Sequence, residues 1–330
     1  MVHPDYMSAF TLSLGCILDY KMTGRKPPEA IFYNTHEIYE NLKWFSLPDG
    51  GFVYPSGQDW RLFRNPDWIK SHILMAVYLQ DSEAWSLANN CLNTLEKMQA
   101  RSESGQIYLD EEYFFASTQH DIFYGLAQVW LNLHCADKIV DNPKKRLGVL
   151  RLDHGQIIMN RTKKAVHTFS WGAKVMAQCI PFQVDRLVSP HQRNGIGMIR
   201  LDGKILPIRV HEVSVENDNQ QFQAHLTIDH GEKVRAYLHY QSHTDGRWVM
   251  TEKLVARDDV TTDSIATGLV GILNNPWWVY EKGERKVQIG EQNKTIKALT
   301  GDSLISKAKR VVIDDTLVFE LTDTQPIAYI

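Results

Sequence analysis

The feature that most constrains the fold is a change in the spacing of apolar residues near 141–146. Before this stretch, apolar residues recur every three or four positions, as on one face of a helix. Beyond it they alternate at every second position, which is typical of strands. The stretch itself is polar and contains Pro143. The sequence therefore predicts an α+β chain with two domains, a helical array over 1–140 and an antiparallel β domain over 141–330.

The first domain is predicted to contain five helices. Each begins at a capping residue or a proline and continues as an apolar stripe. The five starts lie at Asp5, Pro27, Pro66, Ser82 and Ser117. Alternating short and long connections favour stacked helix pairs, as in a helical solenoid or toroid.

The second domain is predicted to be a large antiparallel β-sandwich. More than a dozen short strands are separated by turn signals such as Asp202-Gly203 and His230-Gly231, with no helical pattern between them. The predicted strands include Gly148–Leu152, Ala165–Trp171 and 265–273.

One long connector, residues 49–61, combines turn residues with aromatic and hydrogen-bonding side chains. Gly50, Gly51 and Pro55 exclude a helix or a central strand. The side chains of interest are Phe52, Tyr54, Gln58, Asp59, Trp60 and Arg61. The mixture predicts a surface that recognises a flat, hydroxylated ligand. The alternative is a connector between two helices that is anchored by its aromatic side chains.

Charge and apolar runs exclude several classes of partner. The formal net charge of −3, from 36 basic and 39 acidic side chains, gives no reason to expect nucleic acid or an anionic membrane. No stretch approaches the ~20 apolar residues of a membrane helix. The apolar run 7–18 has no preceding Lys or Arg, so we do not interpret it as a signal peptide. A signal for export would lie outside this sequence.

A helical-pair array followed by a large antiparallel sandwich resembles the polysaccharide lyases of the heparinase II/III and hyaluronate/chondroitin lyase type, in architecture only. The resemblance implies an α/α toroid before a β-supersandwich, with an acidic glycan bound in the cleft between them. It also implies cleavage by β-elimination and a secreted or periplasmic location. Toroids of this type usually have more than five helices, so the chain resembles either a trimmed relative or the C-terminal half of a longer protein.

The resemblance implies a catalytic set of His and Tyr as base and acid, with a polar partner for the uronate carboxylate. On this chain we assign these roles to Tyr54, Arg61 and His120. His120 falls in the first turn of the fifth predicted helix, beside Gln119 and Asp121, where a capping cluster without chemistry is the alternative.

Substrate contacts are predicted from both domains. The loop 188–194 is dense in groups that suit a carboxylate or sulfate, although a solvated loop is the alternative. The predicted contacts are Gln58, Asp59, Trp60, Gln119, Trp171, His191, Arg193 and Asn194.

No cofactor is predicted. His239 and His243 are expected to share a strand face, but the sequence supplies no third metal ligand. An acidic turn at 110–112 leaves a structural calcium as the alternative. The predicted partner is an acidic polysaccharide, with no nucleic acid and no membrane, and the sequence predicts no oligomeric state.

Two other functions stay open. One is an inverting glycoside hydrolase that uses Asp59 with Glu112 or Asp121 as its acid and base. The other is a non-catalytic glycan-binding module.

Overall fold

The computed structural model describes residues 2–48, 50–57, 68–100, 103–105, 124–128, 146–182, 187–189, 191–274 and 283–330. Within these ranges the predicted α+β class is confirmed, because helices occupy the first part and four antiparallel sheets the second. The helices are α1 Pro4–Phe10, α2 Ile17–Met22, α3 Thr35–Lys43, α4 Ile69–Leu79 and α5 Ser82–Ala100. Residues 124–128 are also helical. The predicted domain boundary lies outside the described residues.

The first predicted helix is interrupted. A 3₁₀ segment, Thr11–Cys16, separates α1 from α2. Gly15 lies in this segment, and a Cβ at this position would come within 2.3 Å of the Tyr124 hydroxyl oxygen. The close approach of a ring from the 124–128 helix therefore requires glycine here.

The cap of α5 lies one residue earlier than predicted. Asp81 Oδ1 accepts a hydrogen bond from the backbone N–H of Ala84 at 2.9 Å, so Asp81 rather than Ser82 satisfies the first turn. Helices α4 and α5 share an apolar cluster that includes Ile73, Val77 and Leu95.

The strands follow the predicted alternation closely. They are β1 Gly148–Leu152, β2 Ile157–Arg161, β3 Ala165–Trp171, β4 Val175–Pro181, β5 Met198–Leu201, β6 Lys204–Ile205, β7 Ile208–Asn217, β8 Phe222–His230, β9 Val234–Ser242, β10 Trp248–Ala256, β11 Ser264–Ala266, β12 Glu284–Ile289, β13 Gln292–Lys297, β14 Leu304–Ile313 and β15 Leu317–Tyr329. The sheets have the orders β1-β2-β3-β4, β10-β9-β8-β7, β11-β5-β6 and β13-β12-β14-β15.

The first sheet is covered on both faces. Met159, Val166 and Ile180 point toward the helices and join a core cluster with Leu42 and Phe45. The alternate residues of these strands point the other way, and there the first sheet packs on the second. The apolar cluster between the two sheets contains Ile158, Phe169 and Ala177 from the first sheet and Phe222, Ala224, Leu226, Ile228, Ala236, Leu238 and Tyr240 from the second. The layers are therefore helices, first sheet and second sheet.

Two strand predictions are corrected. β4 was not predicted, because a strand covered on both faces loses the clean alternation of apolar and polar residues. The predicted strand 265–273 is strand only over Ser264–Ala266, and its later part contributes an isolated bridge between Ile272 and Val188.

No helix in the described ranges combines the length and the hydropathy that crossing a membrane requires.

Candidate functional site

The first half of the predicted recognition loop lies in the core. Phe52 and Tyr54 are buried, and the Tyr54 hydroxyl donates a hydrogen bond to Asp5 Oδ1 at 2.8 Å. The backbone oxygen of Tyr54 accepts a hydrogen bond from Gln178 Nε2 of β4, also at 2.8 Å. Tyr54 therefore joins α1 to the first sheet, and its hydroxyl is engaged within the protein. Its catalytic role stays a prediction.

Six other predicted site residues lie outside the described residues: Gln58, Asp59, Trp60, Arg61, Gln119 and His120. The predicted acids Glu112 and Asp121 and the acidic turn 110–112 also lie outside them. Their approach to one another, to Tyr54 and to the β domain stays a prediction.

Trp171 is partly buried at the end of β3. Its ring stacks on Phe169, with ring centroids 5.7 Å apart and an angle of 19° between the planes. It packs against the cluster between the first and second sheets. At least one face of this predicted substrate contact is therefore engaged with the protein.

In the predicted substrate loop, both polar atoms of the Asn194 side chain form hydrogen bonds with backbone groups. Asn194 is buried, and its Nδ2 donates to the Ser189 carbonyl oxygen at 2.7 Å. Its Oδ1 accepts from Gly271 N–H at 2.6 Å. The amide of Asn194 thus braces the loop, and this placement makes it a positioning residue.

The loop is fixed between two sheets. The Asn194 carbonyl oxygen accepts a hydrogen bond from Ala177 N–H at 2.8 Å, on the open edge of β4. Tyr240 of β9 donates its hydroxyl to the Gly195 carbonyl oxygen at 2.5 Å. Gly195 has φ +77°, and a Cβ there would come within 2.9 Å of the Ala177 side chain. The backbone of this loop is therefore held by β4 and β9.

We call three residues near this brace the arginine–histidine group, because the charge of Arg193 lowers the pKa of both histidines: His191, Arg193 and His230. Arg193 is partly buried, and its buried Nη1 has no hydrogen-bond partner among the described residues. His230 is 1% exposed, and neither of its ring nitrogens has a hydrogen-bond partner among the residues that the structure describes. Buried polar atoms without partners are costly, so the Arg193 Nη1 suits a ligand that supplies an acceptor.

The pKa values of the two histidines reflect their position. Burial lowers the pKa of His230, and the nearby charge of Arg193 lowers it further, while Asp229 opposes this change. Burial and then the Arg193 charge also lower the pKa of His191. Arg193 is therefore close enough to influence both imidazoles, and both are predominantly neutral at pH 7.

His191 presents a hydrogen-bond donor. Its Nδ1 accepts from the backbone N–H of Arg193 at 3.2 Å. In the neutral ring the proton then resides on Nε2, which faces away from this contact. The group therefore offers a guanidinium and an imidazole N–H, a set that suits a carboxylate or sulfate oxygen.

Sequence reasoning identified His191 and Arg193 but missed His230. The dipeptide His230-Gly231 was interpreted only as a turn signal, whereas His230 is the last residue of β8 and lies on its buried face. The even spacing from Phe222 to His230 is the signal that predicts this inward orientation.

A second charged cluster lies on the helices, and we call it the Lys43 network: Glu40, Lys43, Asp81, Glu83 and Arg146. Lys43 Nζ lies 2.5 Å from Glu40, 2.7 Å from Asp81 and 3.3 Å from Glu83. Arg146 Nη2 lies 2.8 Å from Glu40 and 2.7 Å from Glu83. Because Arg146 precedes β1, the network joins the helices to the first sheet.

The same region contains three side chains of metal-ligand type. Ligand atoms of His36, Glu40 and Asp81 lie within 4.8 Å of one another. However, the Lys43 ammonium already neutralises Glu40 and Asp81 at hydrogen-bond distance. The arrangement is therefore that of an ion-pair network.

The prediction that His239 and His243 share a strand face is wrong. His243 lies beyond the end of β9, in a turn. The ring beside His239 is His225 of β8, directly across the strand pair.

Comparisons with protein-family models, with curated proteins and with solved structures give no match to this chain.

Proposed function

We propose that this protein binds an acidic, uronate-containing glycan and cleaves it by β-elimination, as a polysaccharide lyase-like enzyme. The observation that carries the proposal is the buried Nη1 of Arg193, a charged donor that has no hydrogen-bond partner among the described residues. Donors that have no acceptor within the described protein are suited to the carboxylate of such a ligand.

The proposed fold is a partial helical toroid followed by a supersandwich-like β domain, with the glycan between them. Two segments singled out from the sequence support this placement. The loop containing Tyr54 contacts Gln178, and the loop containing Arg193 contacts Ala177, which are consecutive residues of β4. Both segments therefore meet at the same strand.

The proposed reaction has three parts. Arg193 and His191 bind the uronate carboxylate, which makes the adjacent C–H bond more acidic. A base removes this proton, and the electron pair forms a carbon–carbon double bond as the glycosidic C–O bond breaks. An acid gives a proton to the leaving oxygen. We assign the base and acid to His120 and Tyr54, with Arg61 as a second carboxylate partner.

Turnover is tested with a panel of uronate-containing polysaccharides, such as polygalacturonate, alginate and heparin. We expect absorbance from unsaturated sugar ends to rise with at least one of them. A panel without any increase would rule out the eliminating activity.

Binding is tested separately with an Arg193→Gln variant, which removes the charged guanidinium but keeps a polar side chain. We expect the affinity for an acidic polysaccharide to fall at least about tenfold, because a charge-assisted pair contributes about 1.5–3 kcal/mol. Arg310→Gln is the matched control, since that arginine is largely exposed on β14. Isothermal titration of both variants, with dextran as the neutral glycan, provides the measurement. Equal affinity of the two variants would contradict the assignment of Arg193.

One observation favours a second function, that of a glycan-binding module without turnover. The Tyr54 hydroxyl is buried and bonded to Asp5, so it is poorly placed to protonate a leaving group. Two results together would support this second function. Glycan binding would depend on Arg193, and no polysaccharide of the panel would give an increase in absorbance.

A further inference from the structure

Within the described ranges, the three four-stranded sheets have six edge strands, and five of these carry a feature that discourages pairing with another chain. The pairing of β7 and that of β15 each contain a register shift, and β15 also contains Pro326. β13 carries Lys294 and Lys297. On the edges of β1 and β4, the backbone N–H groups of Val149 and Ala177 donate hydrogen bonds to loop carbonyl oxygens.

The sixth edge strand, β10, differs from the others. It pairs with β9 over all nine of its residues without a register shift, and it contains no proline or glycine. In the described part of the chain, no residue of β10 forms a backbone hydrogen bond outside this pairing. The backbone groups on its outer edge are therefore available to a further strand.

Both faces of β10 carry apolar side chains that the protein covers incompletely. Val249 and Val255 lie on the face turned away from the first sheet and are 38% and 37% exposed. Trp248, Met250 and Leu254 lie on the opposite face and pack against the core between the sheets, but they are only partly buried. A strand added beside β10 would bury apolar surface on both faces.

The sequence of β10 is complementary to itself when two copies pair antiparallel about a two-fold axis at Glu252. An axis perpendicular to the sheet keeps each side chain on the same face in both copies, so facing residues meet as cross-strand pairs. The resulting pairs are Val249 with Val255, Met250 with Leu254, Trp248 with Ala256, Thr251 with Lys253, and Glu252 with Glu252 of the second copy.

Neighbouring registers match less well. An axis at Lys253 would set two ammonium groups directly opposite each other, which is destabilising. An axis at Thr251 would set Met250 opposite Glu252. The axis at Glu252 is therefore the register that joins apolar residues on both faces.

The ends of the paired strands add no uncompensated charge. Beyond each end, Arg247 would approach Arg257 of the second copy. Arg247 already pairs with Asp245 at 2.7 Å, and Arg257 already pairs with Asp229 at 2.8 Å. Both guanidinium groups therefore carry a neutralising carboxylate of their own.

Glu252 makes this pairing sensitive to pH. It shares the inward face of β10 with Met250 and Leu254, and burial raises its pKa to about 7. Among the described residues, Tyr240 is the titratable group that interacts with it electrostatically, and burial keeps that hydroxyl neutral by raising its pKa. Two carboxylates that meet at an axis cannot both be ionised, whereas a protonated carboxyl can donate a hydrogen bond to its neighbour.

We propose that β10 is a self-association surface, through which two copies of this chain join their second sheets into one continuous antiparallel sheet. The protonation state of Glu252 controls this association. The dimer forms when at least one of the two carboxyls is protonated, and the inward-pointing charges prevent edge pairing when both are ionised. This interface does not depend on the glycan proposal.

The test is sedimentation velocity of the full chain over a concentration series. We expect a reversible dimer at pH 5 and a dissociation constant at least about fivefold higher at pH 8, where only about a tenth of each Glu252 carboxyl retains its proton. Glu252→Gln is neutral throughout and should dimerise equally at both pH values. Glu212→Gln, at an exposed position of β7, is the control and should keep the pH dependence of the wild type.

Two results would overturn the proposal. One is a wild-type chain that stays monomeric at pH 5 at every concentration. The other is a Glu252→Gln variant that loses its dimer at pH 8 as the wild type does.

The register is tested at Thr251, which would face Lys253 of the second copy twice in each dimer. Thr251→Lys sets like charges opposite each other and should raise the dissociation constant about fivefold or more at pH 5, whereas Thr251→Glu sets opposite charges together and should lower it. Combining Thr251→Lys with Lys253→Glu should restore the wild-type value. Thr295→Lys, at an exposed position of the edge strand β13, is the control.

Thr251 and Lys253 are exposed, so circular dichroism should report an unchanged fold for each variant. Equal dissociation constants for Thr251→Lys and Thr251→Glu would overturn the assignment of the dimer to β10. Arg193→Gln, which tests the glycan proposal, should dimerise as the wild type does.

Discussion

At the scale of single residues, Lys43 and Arg193 occupy contrasting environments. Lys43 is 2% exposed and lies within ion-pair distance of three carboxylates. Arg193 is also partly buried, yet its Nη1 has no partner in the described part of the chain. The first environment is complete within the protein, whereas the second needs an acceptor from elsewhere. This contrast is why the ligand is assigned to Arg193.

Glu252 is the clearest single-residue determinant of pH dependence. It lies on β10 between Met250 and Leu254, which pack against the core between the sheets. Burial raises its pKa from the usual 4.5 to about 7. An acid with a raised pKa holds its proton more tightly when folded, so its contribution to stability is lost as the pH rises from about 4.5 to 7.

We expect Glu252→Gln to remove this loss. Relative to wild type, the variant should gain about 1–2 kcal/mol in the free energy of unfolding between pH 5 and pH 8, a value discounted for partial solvent screening. Urea unfolding at both pH values provides the measurement, and Glu212→Gln, on an exposed position of β7, is the control. A difference that does not change with pH would contradict the assignment.

At the scale of elements, the Lys43 network determines how the helices meet one another and the first sheet. Glu40 and Lys43 lie on α3, and Glu83 lies in the first turn of α5. Asp81 lies in the connection between α4 and α5, and Arg146 lies two residues before β1. Burial by itself would lower the pKa of Lys43, but hydrogen bonds to Asp81 and Glu40 outweigh it and raise that pKa. The lysine is therefore charged at pH 7.

Replacing this charge should destabilise the protein strongly. We expect Lys43→Met to reduce the free energy of unfolding by about 3–5 kcal/mol, because buried carboxylates lose their partner. Lys233→Met removes an exposed pair with Asp258 and should cost less than about 1 kcal/mol. Both values are measured by urea unfolding at pH 7. A loss below 1 kcal/mol for Lys43→Met would show that the network is not a stabilising element.

At the scale of the whole molecule, the helices and the sheets share one apolar core. A single cluster contains Leu42 and Phe45 from the helical part, Met159 and Val166 from the first sheet, and Val287 from the fourth. Arg161 Nη1 adds hydrogen bonds to the carbonyl oxygens of Trp44 and Ser46 across the same contact, at 2.8 and 2.6 Å. The two predicted domains are thus joined by packing as well as by the chain.

We expect this shared core to make unfolding cooperative. Urea transitions followed by far-ultraviolet circular dichroism, which is dominated by the helices, and by amide exchange in β4 should have the same midpoint. Two separate transitions, with the helices melting first, would mean that the domains are energetically independent.

Much of the fold could be predicted from local pattern. β1 and β3 begin and end at the predicted residues, because in each case apolar alternation stops at the turn. β4 could not be identified as easily, because a strand covered on both faces resembles any apolar segment. For the candidate site, His191 and Arg193 were predicted from residue type, while the partner histidine lies 37 positions later in the sequence.

The connector that contains Tyr54 illustrates the same limit. Its glycines and proline correctly predict an irregular connection, since φ at Gly50 is +82°. Whether its aromatic rings face solvent or the core is decided by the helical part, where Phe52 contacts His72 and Tyr54 contacts His3.

The sequence by itself determined the α+β class, most of the helices and strands, and the residue types that suit an anionic ligand. These follow from the local periodicity of apolar residues and from side-chain chemistry. Only the tertiary structure decided that Tyr54 and Asn194 are engaged within the protein, and that the charge of Arg193 acts on the buried His230. The physical reason is that burial and hydrogen-bond partners are set by contacts between residues far apart in the chain, which no local pattern encodes.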